Sequence, residues 1–450
     1  MVNDLADLMR EASGQAPPEA ADLSPVLRRG RQRVRRRRAG IVGGASLAVG
    51  AITLASMTWL NPSPPDLAAA GVPNVSGPSV RLTDAQTSVE GTDHRVLASY
   101  TNENLNDDNG QYFEGVTDDG LILFRDGPRM DQLWPRYALM DPASGEKEWL
   151  PRIEGVEQDQ LWPLELSADR LVLLGTGGGG MEVSLLVHVF DRGSGAWTTM
   201  TWPGLPRTDS PFGAVLGPAD RLYVRVPATQ GKPPEGGWPT GPDGEADDAD
   251  AEGDTYDLWS ASLTDATDVR DEGLRVGAVG FTDDAMVWTD SSNGAAGQVH
   301  VRDLATGEET SFDPRLGEKC NLLGLSVAGE RIAMSQYCGT YEGGVRDDRV
   351  QVMTLGGEQV VTIQDDGVDG GRLTDDGGLM TMSAYGRATG GTYVYDFETE
   401  RLLRLSDGHS PWAAPGGPAP GDMFMWNTPA GGKVPDFGQA GATTWLGELL

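Results

Sequence analysis

The sequence predicts an all-β fold, a seven-bladed β-propeller, and three observations carry that expectation. First, one pattern recurs seven times after residue 110: a short apolar strand, a tight polar turn, a second apolar strand, a gap, and a strand that often ends in Asp before another turn. The clearest copies are "GFTDDAMVWTDSSNGAAGQVHVRDLATGEETSF" from Gly280 and "RLTDDGGLMTMSAYGRATGGTYVYDFETERLLRL" from Arg372. Second, a period of about 40 to 50 residues with four strands per unit is the repeat length of a propeller. Third, a lone strand, "HRVLASYT" from His94 to Thr101, precedes the first complete unit, while the last unit stops at "ATTWLGELL", one strand short. Pairing the two closes the ring and removes an exposed sheet edge.

The first turn of each unit reads TDDG before Leu121, SADR before Leu171, PADR before Leu222, TDDA before Met286, AGER before Ile332, TDDGG before Leu379 and APGD before Met423. Asp and Gly accept the positive φ of tight hairpins, and an Asp carboxylate bonds backbone N–H groups two residues on. The third strand ends at a similar site in "YALMDPASGEKEW", "VHVFDRGSGAWTT", "VHVRDLATGEETS" and "YVYDFETERLLRL". Alternate residues of these runs are apolar, as half-buried strands require. Over residues 94–450 the chain resembles bacterial propellers of the WD-repeat, TolB-like and quinoprotein-like kind. The resemblance is architectural, because the WD dipeptide and the quinoprotein tryptophan motif are missing from the expected places. It implies a fold and no particular chemistry.

Ahead of the repeats the composition changes. The net charge of −32 is unevenly spread, since residues 1–38 hold nine Arg against five acids, and the rest is strongly acidic. Such a surface repels phosphate backbones, so no nucleic-acid partner is expected. The scarcity of Lys against Arg points to a GC-rich bacterial genome. Residues 39–60, "AGIVGGASLAVGAITLASMTWL", carry no charge, and as a helix they reach about 33 Å, enough to cross a bilayer. Arg35, Arg36, Arg37 and Arg38 end a basic run directly before this segment, and no Lys or Arg follows until Arg81. The positive-inside rule then puts the N-terminus in the cytoplasm and the propeller outside a bacterial cell membrane, extracellular or periplasmic. A cleaved signal peptide, with Ala68 and Ala70 as its A-x-A site, is the competing reading.

The organisation expected is therefore a basic cytoplasmic tail at 1–38, with short helices or disorder, a single transmembrane helix acting as an uncleaved signal anchor at 39–60, a Pro/Ser/Ala-rich stalk at 61–93 and the propeller at 94–450. The tail is too short for a core of its own. Its place before one span resembles bacterial anti-sigma factors, although the His and Cys residues of their zinc-binding version are absent. A cytoplasmic partner of the tail is one consequence.

Cys320 and Cys338 are the only cysteines. If the hairpin between them is centred on Gly329, they lie opposite each other on adjacent antiparallel strands, at a distance that suits a disulfide. Export to an oxidising compartment permits the bridge.

Other candidates are weaker. The longest insertion, "TQGKPPEGGWPTGPDGEADDADAEGDTYD", falls in the third unit, where Asp248, Asp250, Glu252 and Asp254 loosely match the start of a calcium loop. The terminal Glu of that pattern is missing, and acidic Gly- and Pro-rich stretches are ordinarily solvated. No cofactor is expected, with calcium here as the one alternative. His94, His188, His300 and His409 are scattered through different units without metal-ligand spacing. Gly177 to Gly180 form a glycine run that lacks the Lys and helix of a phosphate loop. Trp288 and Trp426 fall in second strands, where packing between blades is the expected role. No catalytic residue emerges. The reading favoured is a membrane-anchored, non-enzymatic binding or interaction module for a protein, peptide or envelope glycan. Its alternatives are a cell-envelope hydrolase or lyase with an acidic central site, and a signalling protein read out through the N-terminal tail.

Overall fold

The structure is a computed structural model that describes residues 78–102, 111–127, 134–154, 161–177, 183–209, 211–235, 237–238, 251–316, 320–340, 346–385, 388–407, 419–428 and 443–450. The chain divides into two compact units, Met1–Ala51 and Ile52–Leu450, and every described residue falls in the second. The basic tail with Arg35 to Arg38, the apolar segment 39–60 and the first part of the stalk lie outside the described residues. Among those residues no helix is long and apolar enough to cross a membrane.

Three strands precede the repeats: β1 (Ser79–Val80), β2 (Gln86–Thr87) and β3 (His94–Thr101). Blade 1 comprises β4 (Tyr112–Val116), β5 (Ile122–Asp126), β6 (Arg136–Met140) and β7 (Lys147–Trp149). Blade 2 comprises β8 (Trp162–Leu166), β9 (Arg170–Gly177), β10 (Ser184–Asp191) and β11 (Ala196–Thr201). Blade 3 comprises β12 (Ala214–Gly217), β13 (Arg221–Thr229), β14 (Thr255–Ser262) and β15 (Val269–Val276). Blade 4 comprises β16 (Val279–Phe281), β17 (Ala285–Thr289), β18 (Val299–Asp303) and β19 (Glu309–Phe312). Blade 5 comprises β20 (Asn321–Ala328), β21 (Arg331–Thr340), β22 (Arg346–Thr354) and β23 (Gln359–Asp365). Blade 6 comprises β24 (Val368–Leu373), β25 (Leu379–Ala384), β26 (Gly391–Asp396) and β27 (Arg401–Ser406). Blade 7 holds β28 (Met423–Thr428) and β29 (Thr443–Leu449). In each complete blade the four strands, A to D, pair in sequence order. The strand expected before β28 falls within 408–418, outside the described residues.

The ring closes as the orphan strand suggests. β3 pairs antiparallel with β29, with Leu446 opposite Ala98 and Trp445 opposite Ser99, so it supplies strand D of blade 7. Trp445 stacks on Trp426 at 5.8 Å, and the buried His94 meets the edge of Trp426. Closure is also visible in the core, which among the described residues is split into seven buried apolar clusters, each spanning two neighbouring blades. One of them joins Ala98 and Leu446 of blade 7 to Ile122 and Phe124 of blade 1, across the seam.

The turns follow from short-range chemistry. In the A–B turns of blades 1, 2, 4 and 6 the leading hydroxyl caps the start of strand B: Thr117 Oγ1 accepts the Leu121 N–H at 2.9 Å, Ser167 Oγ that of Arg170 at 3.1 Å, Thr282 Oγ1 that of Ala285 at 3.0 Å and Thr374 Oγ1 that of Leu379 at 2.9 Å. The C–D turns use the Asp that ends or follows strand C. Asp141, Asp191 and Asp303 each accept the N–H three residues on, and these bonds hold their carboxyls below the usual range.

Residues 78–93, placed in the stalk by composition, belong in part to the propeller. β1 adds a parallel strand to the outer edge of blade 5 and β2 does the same on blade 6. Between them Leu82 is buried in the cluster shared by blades 5 and 6, and Asp365 Oδ2 accepts its N–H at 3.1 Å. Arg81 pairs with the same carboxylate at 3.3 Å.

Candidate functional site: the loop face over blades 3 to 5

Strand alternation puts the A–B and C–D turns on one face of the disc and the B–C and D–A connections on the other. The second face carries the longer segments, among them 150–161, 230–254, 290–298 and 313–320. Short polar turns close the first face, so the second is the one with the more extended loop surface.

Over blades 3 to 5 these connections interlock. The Asp254 N–H donates to the Ser292 carbonyl at 2.6 Å, and the Ser292 N–H returns a bond to Asp254 O at 3.1 Å. On the other flank the Asn293 N–H reaches Leu322 O at 2.9 Å and the Leu322 N–H reaches Gly294 O at 2.8 Å. The B–C loop of blade 4 is thus stitched to the insertion of blade 3 on one side and to β20 on the other. Close approach demands glycine here. A Cβ on Gly294 would sit 2.2 Å from the Gly253 nitrogen, and one on Gly277 would sit 1.9 Å from the Ser291 carbonyl carbon. Asn293 takes φ +53°, a left-handed conformation that Asn tolerates better than most residues.

The calcium expectation meets this platform directly. Asp248 and Asp250 lie outside the described residues. Asp254 is already committed, its Oδ1 to the Gly231 N–H and its Oδ2 to the Asn293 amide, both at 2.8 Å. It pins the end of the insertion to blade 4. Glu252 belongs to the same stitch through its backbone, which packs closely against Gly231. Among the described residues no group of three or more His, Cys, Asp or Glu side chains is placed to hold a metal ion.

Beneath the platform Arg225 donates to the Gly277 carbonyl and stacks over the Tyr256 ring at 4.8 Å. Burial pulls this guanidinium below its ordinary pKa and pushes the Tyr256 phenol up to about 12. Nearby, His300 Nε2 lies 2.8 Å from Asp290 Oδ1, while the imidazole stacks flat on Trp288 at 5.0 Å. Asp290 Oδ2 accepts the Gln298 N–H at 2.8 Å, so this pair staples the base of the B–C loop of blade 4.

Between blades 4 and 5 a cavity of about 80 Å3 opens, with Ala295, Ala296 and Gly297 on one wall and Asp313 to Arg315 on another. Its floor is Cys320, Gln336 and Arg349, all nearly inaccessible to solvent. Arg349 Nε donates to Gln336 Oε1 at 2.6 Å and Nη1 donates to Leu316 O at 3.0 Å. Cys320 and Cys338 form a disulfide across β20 and β21, with Cα atoms 4.2 Å apart.

The other sequence candidates disperse. His188 is fully buried in blade 2, its Nδ1 2.9 Å from Thr199 Oγ1, and burial lowers its pKa to about 4. His94 Nδ1 lies 2.7 Å from Ser88 Oγ at the seam, and burial lowers its pKa too. His409 lies outside the described residues, as do Gly178 to Gly180, while Gly177 pairs with Ser184 at the end of β9. Trp288 packs between blades 3 and 4 and Trp426 between blades 6 and 7. Sequence reading missed a buried ion pair in blade 1, where Arg125 Nη1 meets Glu114 Oε1 at 2.8 Å with both side chains under a tenth exposed. Glu114 is the extra residue of a bulge in β4, and a bulge re-aims its side chain in a way strand alternation does not reveal.

No protein-family model matches the sequence, and no curated protein matches it. Similar folds occur among solved structures. An oligogalacturonate lyase in complex with manganese aligns with TM-score 0.45 and 11% identity over 81% of this chain and 99% of its own. A prolyl endopeptidase aligns with TM-score 0.41 and 15% identity over 77% of this chain, which spans 46% of that protein. The β-propeller domain of the Trilobed protease from Pyrococcus furiosus, described as an open velcro propeller, aligns with TM-score 0.37 and 10% identity over 67% of this chain and 85% of that domain. At these identities the likeness is one of fold.

Proposed function

We propose that this propeller is a binding module whose ligand, a protein, peptide or cell-envelope glycan, docks on the loop face over blades 3 to 5. One observation carries the reading: backbone hydrogen bonds and tight glycine contacts fix the B–C loop of blade 4 to the insertion of blade 3 on one side and to strand β20 of blade 5 on the other, beside a cavity with polar groups on its floor. A preorganised surface of this kind lowers the ordering cost of binding. Residues 39–60 anchor the module in a bacterial cell membrane, with the propeller outside. The run Arg35 to Arg38 supports that orientation, and the Cys320–Cys338 bridge suits an oxidising compartment.

The test immobilises the full-length chain and captures ligand from an envelope fraction. Reversing charge on the loop face, with Asp313→Lys and Arg315→Glu, is expected to abolish capture. Glu308→Arg, in a C–D turn on the opposite face, is expected to leave it unchanged. Equal capture by both variants, or turnover of a glycan or peptide library by the unmodified chain, overturns the reading in favour of another face or of a hydrolase or lyase.

A further inference from the structure

We propose that the outer edge of β11, on the rim of blade 2, takes an extended basic segment of a partner protein as an added strand. This surface is separate from the loop face, and the proposal stands or falls without it.

An unpaired edge strand is a template for another chain, and folds ordinarily blunt it by covering, shortening, charging or bulging it. Six of the seven outer strands do so here. β1 covers β23 and β2 covers β27. β7 and β19 span 3 and 4 residues, and both are charged, through Lys147 and Glu148 in one and Glu309 in the other. β15 holds Arg270, Asp271, Glu272 and Arg275, and its register breaks against β14. β3 begins with His94 and Arg95 and bulges at Leu97, since Leu446 pairs with Ala98 and Gly447 with Val96. β11, with the sequence AWTTMT, uses none of these devices. It is 6 residues long, carries no charge, and pairs with β10 without a break from Ala196 opposite Asp191 to Thr201 opposite Leu186. Among the described residues no strand pairs with its outer side.

The strand is also held in place for a partner. Trp197 packs between blades 1 and 2 and its Nε1 donates to Pro151 O at 2.8 Å, while Met200 packs between blades 2 and 3. Side chains are thus tied down on both faces of the blade, and Ala196, Thr198, Thr199 and Thr201 stay exposed. Thr and Trp favour extended backbone. The rim itself shows how an added strand is received, because Ser79–Val80 and Gln86–Thr87 join β23 and β27 as short, uncharged extended segments.

Charge selects the occupant. A second copy would bring together two chains of net charge −32 each. A segment bearing Lys or Arg meets an attractive field instead. The uncharged β11 then leaves recognition to main-chain hydrogen bonds, as in other cases of strand addition.

Fluorescence anisotropy of the full-length chain with a labelled peptide, Lys-Val-Thr-Val-Thr-Val-Lys, tests this. The fully N-methylated peptide keeps every side chain but offers no backbone N–H, and a version with Glu at both ends reverses the charge. Each is expected to bind about 10-fold more weakly than the parent peptide. Thr198→Lys with Thr201→Lys restores the missing edge charge at two exposed positions, and should weaken the parent peptide about 10-fold with an unchanged melting temperature. The same change in net charge on the rim of blade 4, Thr310→Lys with Ser311→Lys, should leave binding as it was. Absence of binding, equal binding of the N-methylated peptide, or equal loss in both two-Lys variants overturns the added strand, and equal binding of the Glu-flanked peptide overturns the basic partner. A dimer of the unmodified chain in sedimentation that the β11 variant loses assigns the edge to a second copy and overturns the proposal. Protection of every β11 amide from hydrogen exchange in the free chain overturns it too, by showing the edge already covered.

Discussion

Cys320 faces Cys338 because Leu323 bulges out of β20. At the turn Ala328 pairs with Arg331, and that register holds back to Gly324 and Ser335, which on its own would set Cys320 opposite Gly339. The bulge moves the pairing by one residue, so that Leu322 meets Gln336, Asn321 meets Tyr337 and the two sulfurs meet at the strand ends. The sequence-based register, centred on Gly329, was correct at the cysteines and one residue off at the turn.

Because the bridge closes a loop of 18 residues, its loss is expected to cost about 2 to 3 kcal/mol, mainly through the unfolded chain. Urea unfolding of the Cys320→Ala/Cys338→Ala chain should show that difference from the oxidised protein. Alkylation under denaturing, non-reducing conditions should label neither cysteine. Full labelling of both would remove the bridge from the account.

The buried pair in blade 1 has a different signature. Removing one partner leaves the other charge buried without it, so Glu114→Gln is expected to destabilise the fold by about 3 to 5 kcal/mol. Replacing both, with Glu114→Leu and Arg125→Met, should recover most of that loss, because the cost of burying charge disappears along with the attraction. Thermal melts of Glu114→Gln and of the double variant decide it, and a double variant worse than Glu114→Gln would mean the pair does more than neutralise itself.

What could be read in the chain was what local chemistry sets. Thr117, Thr374, Asp141 and Asp303 sit in turns whose shape depends on a few neighbouring residues, and the strand His94–Thr101 was legible because it is long, alternating and unpaired. Ser79–Val80 and Gln86–Thr87 were not, since a two-residue strand has no period and its parallel partner lies more than 280 residues away. The cavity was equally hidden. Gly297, Arg315, Gln336 and Arg349 come from four separate segments, and only the packing of blade 4 on blade 5 brings them together.

The outer strap formed by residues 78–93 should behave as a second closure beside β3. Asp365 accepts from the backbone of Leu82 and pairs with Arg81, while Arg401 holds Asp93 at 3.0 Å before the chain enters β3. Leu82→Ala empties a buried site between blades 5 and 6 and is expected to cost about 2 to 4 kcal/mol. Asp365→Ala should cost less but release the strap, raising hydrogen exchange at the Leu82 and Ser88 amides while leaving the β3 amides protected. Loss of protection in β3 at the same time would show the strap and the seam to be one cooperative unit.

His188 gives the fold a pH dependence whose sign is fixed by burial. Its imidazole is neutral in the folded chain down to about pH 4, whereas the unfolded chain takes up a proton near 6.5. Above pH 6.5 both states are neutral and the residue adds nothing to the slope. As pH falls from 6.5 to 4 the unfolded state binds the proton that the folded state refuses, and stability drops by up to about 3 kcal/mol before the loss levels off. A non-titrating variant, His188→Leu, forfeits the contact with Thr199 at every pH but should lack this decline. The difference in unfolding free energy between the two chains, measured from pH 7.5 to 4, should therefore shift in favour of the variant as acid is added. A difference that stays flat across that range would place the proton-accepting nitrogen in contact with solvent.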